Sequence, residues 1–172
     1  MKKTIEALLE WFLIVLMVTL TTVVVVAVVY RKMGASLSWY DEVASVLLAW
    51  VTYYGSALAA LKRKHIGFDS LLLAIPMPAR MWAVALSEVI VIGFFLLLAW
   101  AGWEVLQVLE GMRLISLRWV PISLTQSVIP VGAVLFIVCE LLSLPEYWRA
   151  TAAGISFEHA EIEEEIERAK NA

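Results

Sequence analysis

The chain has 172 residues, a formal net charge of −3 and 62% hydrophobic side chains, with a mean hydropathy of +0.86. That apolar content is far above what a soluble domain of this length carries, so the chain is expected in a membrane as one unit. A lone cysteine, Cys139, excludes an internal disulfide, and the acidic residues concentrated after Phe157 leave no basic surface for nucleic acid.

Lys2 and Lys3 open the chain, and Trp11 to Tyr30 follows without a charge. The stretch is long enough to cross a bilayer and lacks a small-x-small cleavage site, which favours a retained first span, about 9–30, over a signal peptide. The β-branched run Val23 to Val26 is a poor helix former in water, but in lipid the backbone must satisfy its own hydrogen bonds and helix is expected. Arg31 and Lys32 close the span. The short loop to Asp41 makes the first two spans antiparallel neighbours.

Trp39 and Tyr40 suit a membrane-water interface, and Asp41 and Glu42 stand where a helix N-terminus favours negative charge. A second span, about 43–61, carries no charge. Gly55 with Ala59, and Ser56 with Ala60, give the small-xxx-small spacing that permits close backbone approach. Trp50 falls near mid-span, away from either interface. It is expected to pack between helices or to face another membrane protein, and the small residues free for internal packing favour the second. Lys62, Arg63 and Lys64 then mark the cytoplasmic side. The segment from His65 through Asp69 leads into Leu71, Leu72, Leu73 and Ile75, which Pro76 and Pro78 stop before it could span anything. An amphipathic helix lying in the interface is expected at about 66–78. His65 beside Lys64 reads equally as a contact to lipid phosphate and as an exposed loop histidine.

The third span, about 81–103, holds a single charge, Glu88, roughly 10 Å from its basic end. An ion or proton site and a structural hydrogen bond to another helix both account for it. No Lys, Arg or His lies within a span to relay charge, which favours the structural role. Residues 105–120 read as a loop with one helical turn. The fourth span, about 122–144, contains Glu140 a turn from its end, where the side chain is expected to reach toward the interface. Pro130 inside this span predicts a kink, with Gln126 near the freed carbonyl, and Pro145 and Trp148 are expected to end it. Residues 149–172 form an acidic tail, expected on the cytoplasmic side as a solvated or disordered end.

His65 and His159 are the only histidines and neither lies in a span, so the chain offers no haem pair and no zinc spacing. It has no GxxxxGK loop for ATP and no nucleophile-base pair for an enzyme. No cofactor is expected in this chain. Orientation follows from the positive charges. With both termini inside, nine of the 13 Lys and Arg residues face the cytoplasm and four, Arg31, Lys32, Arg113 and Arg118, lie outside.

The fold expected is therefore an all-α integral membrane protein with four transmembrane helices and an interfacial amphipathic helix between the second and third. Its spans offer too few polar groups to coordinate a polar solute, which favours an accessory subunit over a carrier. Trp39, the Asp41-Glu42 pair, Trp50, Gly55, His65-Ile66-x-x-Asp69, and Pro130 with Gly132 in the fourth span carry a resemblance. Together with the four-span layout, over roughly residues 5–148, they resemble the small membrane subunit of tripartite ATP-independent periplasmic (TRAP) transporters, the DctQ-like family. The resemblance implies a bacterial inner-membrane scaffold beside a large many-span subunit that carries the substrate and sodium sites, with a soluble periplasmic binding protein delivering an organic acid. It also gives the matching residues a partner-interface or structural role. Asp41 departs from the usual pair of glutamates, and the Glu-rich tail has no counterpart. The rival is a self-sufficient four-helix, proton-coupled carrier acting as a dimer through Glu88. In that family the key carboxylate lies in the first span, where this chain has none.

Overall fold

The computed structural model describes residues 2–63 and 75–154. Its helices are α1, Lys2–Lys32; α2, Tyr40–Lys62; α3, Ala79–Val108; α4, Ile122–Gln126; and α5, Val128–Ala153. Among the described residues four helical units are long and apolar enough to cross a membrane, α4 and α5 counting as one from Ile122 to Ala153. All four predicted spans fall within these helices.

The helices are longer than the apolar segments that seeded them. With 31 residues in α1 and 30 in α3, each reaches about 45 Å, against a hydrocarbon core of roughly 30 Å. The added turns hold Glu6 and Glu10 near the start of α1 and Glu104 near the end of α3, beyond the uncharged stretches of those helices. The expected loop at 105–120 consequently starts later. It is pinned by hydrogen bonds from the Leu114 N–H to the Val120 carbonyl, 3.1 Å, and from the Ile122 N–H to the Met112 carbonyl, 3.0 Å.

The fourth span differs most from expectation. Pro130 does not kink a continuous helix: the span breaks at Ser127, and Pro130 sits in the first turn of α5. A helix start has unbonded N–H groups in any case, so a residue lacking one costs little there. Pro145 does not end the helix either. α5 runs through it to Ala153 and stops at Gly154, whose φ of 75° suits a left-handed cap. Residues 149–153, predicted as tail, therefore belong to α5. The rest of the acidic tail from 155 on lies outside the described residues, as do 66–74 of the predicted interfacial helix; its last residues, 75–78, are bend and turn.

The helices pack as a row, α1 on α2, α2 on α5 and α5 on α3. Leu9, Ala57, Ala60, Leu61, Phe136 and Cys139 form the buried cluster along the seam, and Phe95 of α3 stacks on Phe136 of α5 with ring centroids 3.6 Å apart. Close backbone approach does occur, but not at Gly55. A Cβ at Gly55 would stand 3.9 Å from Leu13 Cδ2, an ordinary contact, because the branched Leu13 of α1 fills that space. The tight crossings are at Gly132, where a Cβ would lie 2.8 Å from Tyr53 Cβ, and at Gly102, where it would lie 2.9 Å from Ile129 Cγ2.

Tyr53 Cβ is tied to its backbone and cannot swing aside. Gly132→Ala should therefore push α2 and α5 apart and cost roughly 1–3 kcal/mol, whereas Gly55→Ala should be neutral or stabilise by up to about 1 kcal/mol. Thermal unfolding of the two variants in one detergent checks the contrast. Equal stability of both would mean that the α2–α5 crossing is not set by Gly132.

Candidate functional site

At the end of the bundle that holds Lys2, Lys62 and Gly154, α2 stops at Arg63. Its backbone is left-handed, φ 54° and ψ 31°, and its N–H caps the Ala60 carbonyl. The guanidinium then enters the space between α3 and α5. Nη1 lies 2.6 Å from Glu88 Oε1 of α3 and 2.8 Å from Glu140 Oε1 of α5. Nε donates to Ser143 Oγ at 2.8 Å and Nη2 to the Glu140 carbonyl at 3.2 Å. The planar group lies over the Tyr147 ring, 4.5 Å from its centroid. Ser143, fully buried, donates in turn toward the Ala60 and Glu140 carbonyls at 3.1 and 3.0 Å.

One side chain thus joins three helices. The side chains of Arg63, Glu88 and Glu140 keep 13%, 11% and 8% exposure. That places them with buried ion pairs, where losing one partner is costly, and not with surface pairs, which contribute little. The expectation for Glu140 changes. Glu88, for which a hydrogen bond to another helix was favoured, meets Arg63 at the end of α2, and Glu140 turns inward to the same Arg63 where reaching outward to the interface was expected. Arg63 was counted as a flanking cytoplasmic charge. Its long side chain folds back into the bundle because the helix ends in the left-handed turn just before it would leave. A usable signal was present: antiparallel spans bring the end of the second, the start of the third and the end of the fourth to one side, and Arg63, Glu88 and Glu140 come one from each.

A looser belt surrounds this cluster. Lys62 pairs with Glu6 and Glu10 of α1, and Lys2 pairs with Glu146 of α5. Arg80 donates to the Ile75 carbonyl at 3.1 Å and to the Thr151 carbonyl at 3.4 Å.

At the opposite end Glu42 does more than complement a helix terminus. Its Oε1 and Oε2 accept the backbone N–H groups of Ile115 and Ser116, each at 2.9 Å, and Ser116 Oγ donates to the Ser38 carbonyl at 3.1 Å. The two loops at this end are thereby clasped. Trp39 is half-buried at the start of α2, and the carbonyl of the exposed Asp41 accepts from Ser45 Oγ at 2.7 Å. Trp50, expected to favour a partner, is half-buried and has an internal role: its Nε1 donates to the Thr125 carbonyl of α4 at 3.0 Å. That bond satisfies a carbonyl near the break at Ser127. Gly132 and Pro130 lie at the crossings of α5, while His65 and Asp69 lie outside the described residues.

A family model, tripartite ATP-independent periplasmic transporters, DctQ component, matches residues 20–150. The chain belongs to that family. Among curated proteins none matches it. As a DctQ component with four spanning helices it is a multi-pass membrane protein and a transporter subunit, not an enzyme. The family acts with a large TRAP membrane component and a periplasmic binding protein. The matched region takes in the Glu42 clasp, Trp50, Gly132 and the whole Arg63 cluster, and leaves out Lys2, Glu6 and Glu10 of the outer belt.

Arg63→Ala should strand two buried carboxylates and destabilise the subunit by about 3–5 kcal/mol, read from unfolding in detergent beside wild type. Glu42→Ala should leave the core intact and speed amide hydrogen exchange at Ile115 and Ser116. Unchanged exchange there would remove the clasp from the account.

Proposed function

We propose that the chain is the small subunit of a sodium-coupled, binding-protein-dependent TRAP transporter for organic acids, bracing the large subunit and helping to dock the periplasmic binding protein. The observation that carries this reading is the internal use of its buried charge: Arg63 bonds both Glu88 and Glu140 and so joins three helices. A subunit whose polar interior is locked in this way serves as a fixed frame. On the same reading, the sodium and substrate sites belong to the large subunit.

The membrane is the bacterial inner membrane, with both termini cytoplasmic. The positive-charge bias supports this orientation, and Lys2, Lys62, Arg63 and Arg80 gather at one end of the bundle. The clasped loop 109–121 then faces the periplasm and presents exposed Ile115, Arg118 and Trp119, a shape suited to meeting the binding protein. The outer faces of α1 and α3, with Ile14, Val18, Val25, Ile90, Phe94 and Leu97 exposed, offer apolar area to lipid and to the large subunit. The enclosure of Glu88 by Arg63 speaks for the frame and against a dimeric carrier that works through a free Glu88.

In a Cys139→Ser background, Ser36→Cys should react with an impermeant thiol reagent on intact cells, and Lys3→Cys only after permeabilisation. The reverse pattern would overturn the orientation. In liposomes with an inward sodium gradient and binding protein, organic-acid uptake should require this chain and the large subunit together. Accumulation driven by this chain alone would replace the frame with the carrier.

A further inference from the structure

The Arg63 cluster is unbalanced as drawn from its ionised groups, with one guanidinium between two carboxylates. Both Oε1 atoms converge on the same Nη1. The two remaining oxygens, Glu88 Oε2 and Glu140 Oε2, are buried and have no hydrogen-bond partner among the described residues. The residues themselves are 8% and 6% exposed. A buried carboxylate oxygen without a donor costs free energy, and a surplus negative charge in an apolar bundle costs more. One addition removes both costs.

We infer that Glu88 and Glu140 together hold a single proton, carried as an O–H on Oε2 of one carboxyl group and shared with the other, so that the cluster is neutral. The proton is taken from hydronium in the water at the basic end: one hydronium O–H bond breaks, leaving water, and one carboxyl O–H bond forms. Two carboxyl groups that meet at one site cannot both ionise at ordinary cost. The Glu88 and Glu140 carboxyl groups lie within 2.6 and 2.8 Å of the same Nη1, which places a second carboxyl group beside the one that holds the proton. A proton fits this place better than a metal cation, which would confront the Arg63 guanidinium as a second full positive charge.

Among the described residues, the surrounding groups do not supply the missing charge. Lys62 of α2 is engaged with Glu6 and Glu10 of α1, Lys2 of α1 with Glu146 of α5, and Arg80 of α3 with the carbonyls of Ile75 and Thr151. On α5, Tyr147 lies under the guanidinium, Arg149 is exposed, and the buried Cys139 thiol carries no positive charge. The protonated pair therefore completes the joint between α2, α3 and α5, as a resident proton site inside the frame. It needs no contribution from the transported solute and stands apart from the reading of the chain as a transporter subunit.

Infrared spectroscopy of the full chain in lipid nanodiscs tests this directly, with isotope-labelled glutamate to separate side-chain carbonyls from lipid esters. At neutral pH, where exposed glutamates are ionised, wild type should show one protonated glutamic-acid carbonyl band. Glu88→Gln and Glu140→Gln should each abolish it, because the carboxylate left behind pairs one-to-one with Arg63. Glu146→Gln should leave it unchanged. Absence of the band in wild type, or its survival in either cluster variant, would overturn the inference. If one glutamine variant fails to fold, the wild-type spectrum and the other variant still decide.

Discussion

A guanidinium enclosed by three helices is the constraint on which the rest of the bundle depends. Taking Arg63 out of water is costly, and the cost is offset only if carboxylates, a hydroxyl and a carbonyl meet it with good geometry. Glu88, Glu140, Ser143 and the Tyr147 ring do so from α3 and α5. Each partner is thereby held in register with the end of α2. A one-residue slip of α5 would rotate Glu140 and Ser143 away together, since residues three apart share one face of a helix.

Packing then takes over where the charges end. In lipid, helices gain little from burying apolar side chains against one another, because lipid tails are equally apolar. Association rests on close fit and on scarce polar bonds. The crossings at Gly132 against Tyr53 and at Gly102 against Ile129 provide the fit, with the Phe95–Phe136 stack next along α5 toward the Arg63 end. The Trp50 bond to the Thr125 carbonyl and the Glu42 clasp secure the far half. With Arg63 at one end and Glu42 at the other, α2 is tied at both termini. That makes it the axis of a four-helix row whose outer members, α1 and α3, keep wide apolar faces. For a DctQ component this is a division of labour: polar chemistry holds the frame together and the apolar flanks remain for its surroundings.

The sequence by itself determined the number of spans, their approximate limits, their alternating direction and the family. These follow from long uncharged stretches, aromatic and basic flanks, and a motif spread over Trp39 to Asp69, all of which act locally through the bilayer. Only the tertiary structure decided what the polar residues do. Trp50 could not be assigned a partner from its depth alone, since a mid-span indole satisfies the same pattern whether it bonds a neighbouring helix or faces another protein. Pro130 and Pro145 carry the same missing N–H, yet one falls in the first turn after the break at Ser127 and the other inside a continuing helix. Arg63 was legible as a flanking charge, whereas Glu88 and Glu140 stood unpaired in separate spans. Their meeting depends on how α2 ends and on which helices lie beside it, contacts between residues far apart in the chain that no local pattern encodes.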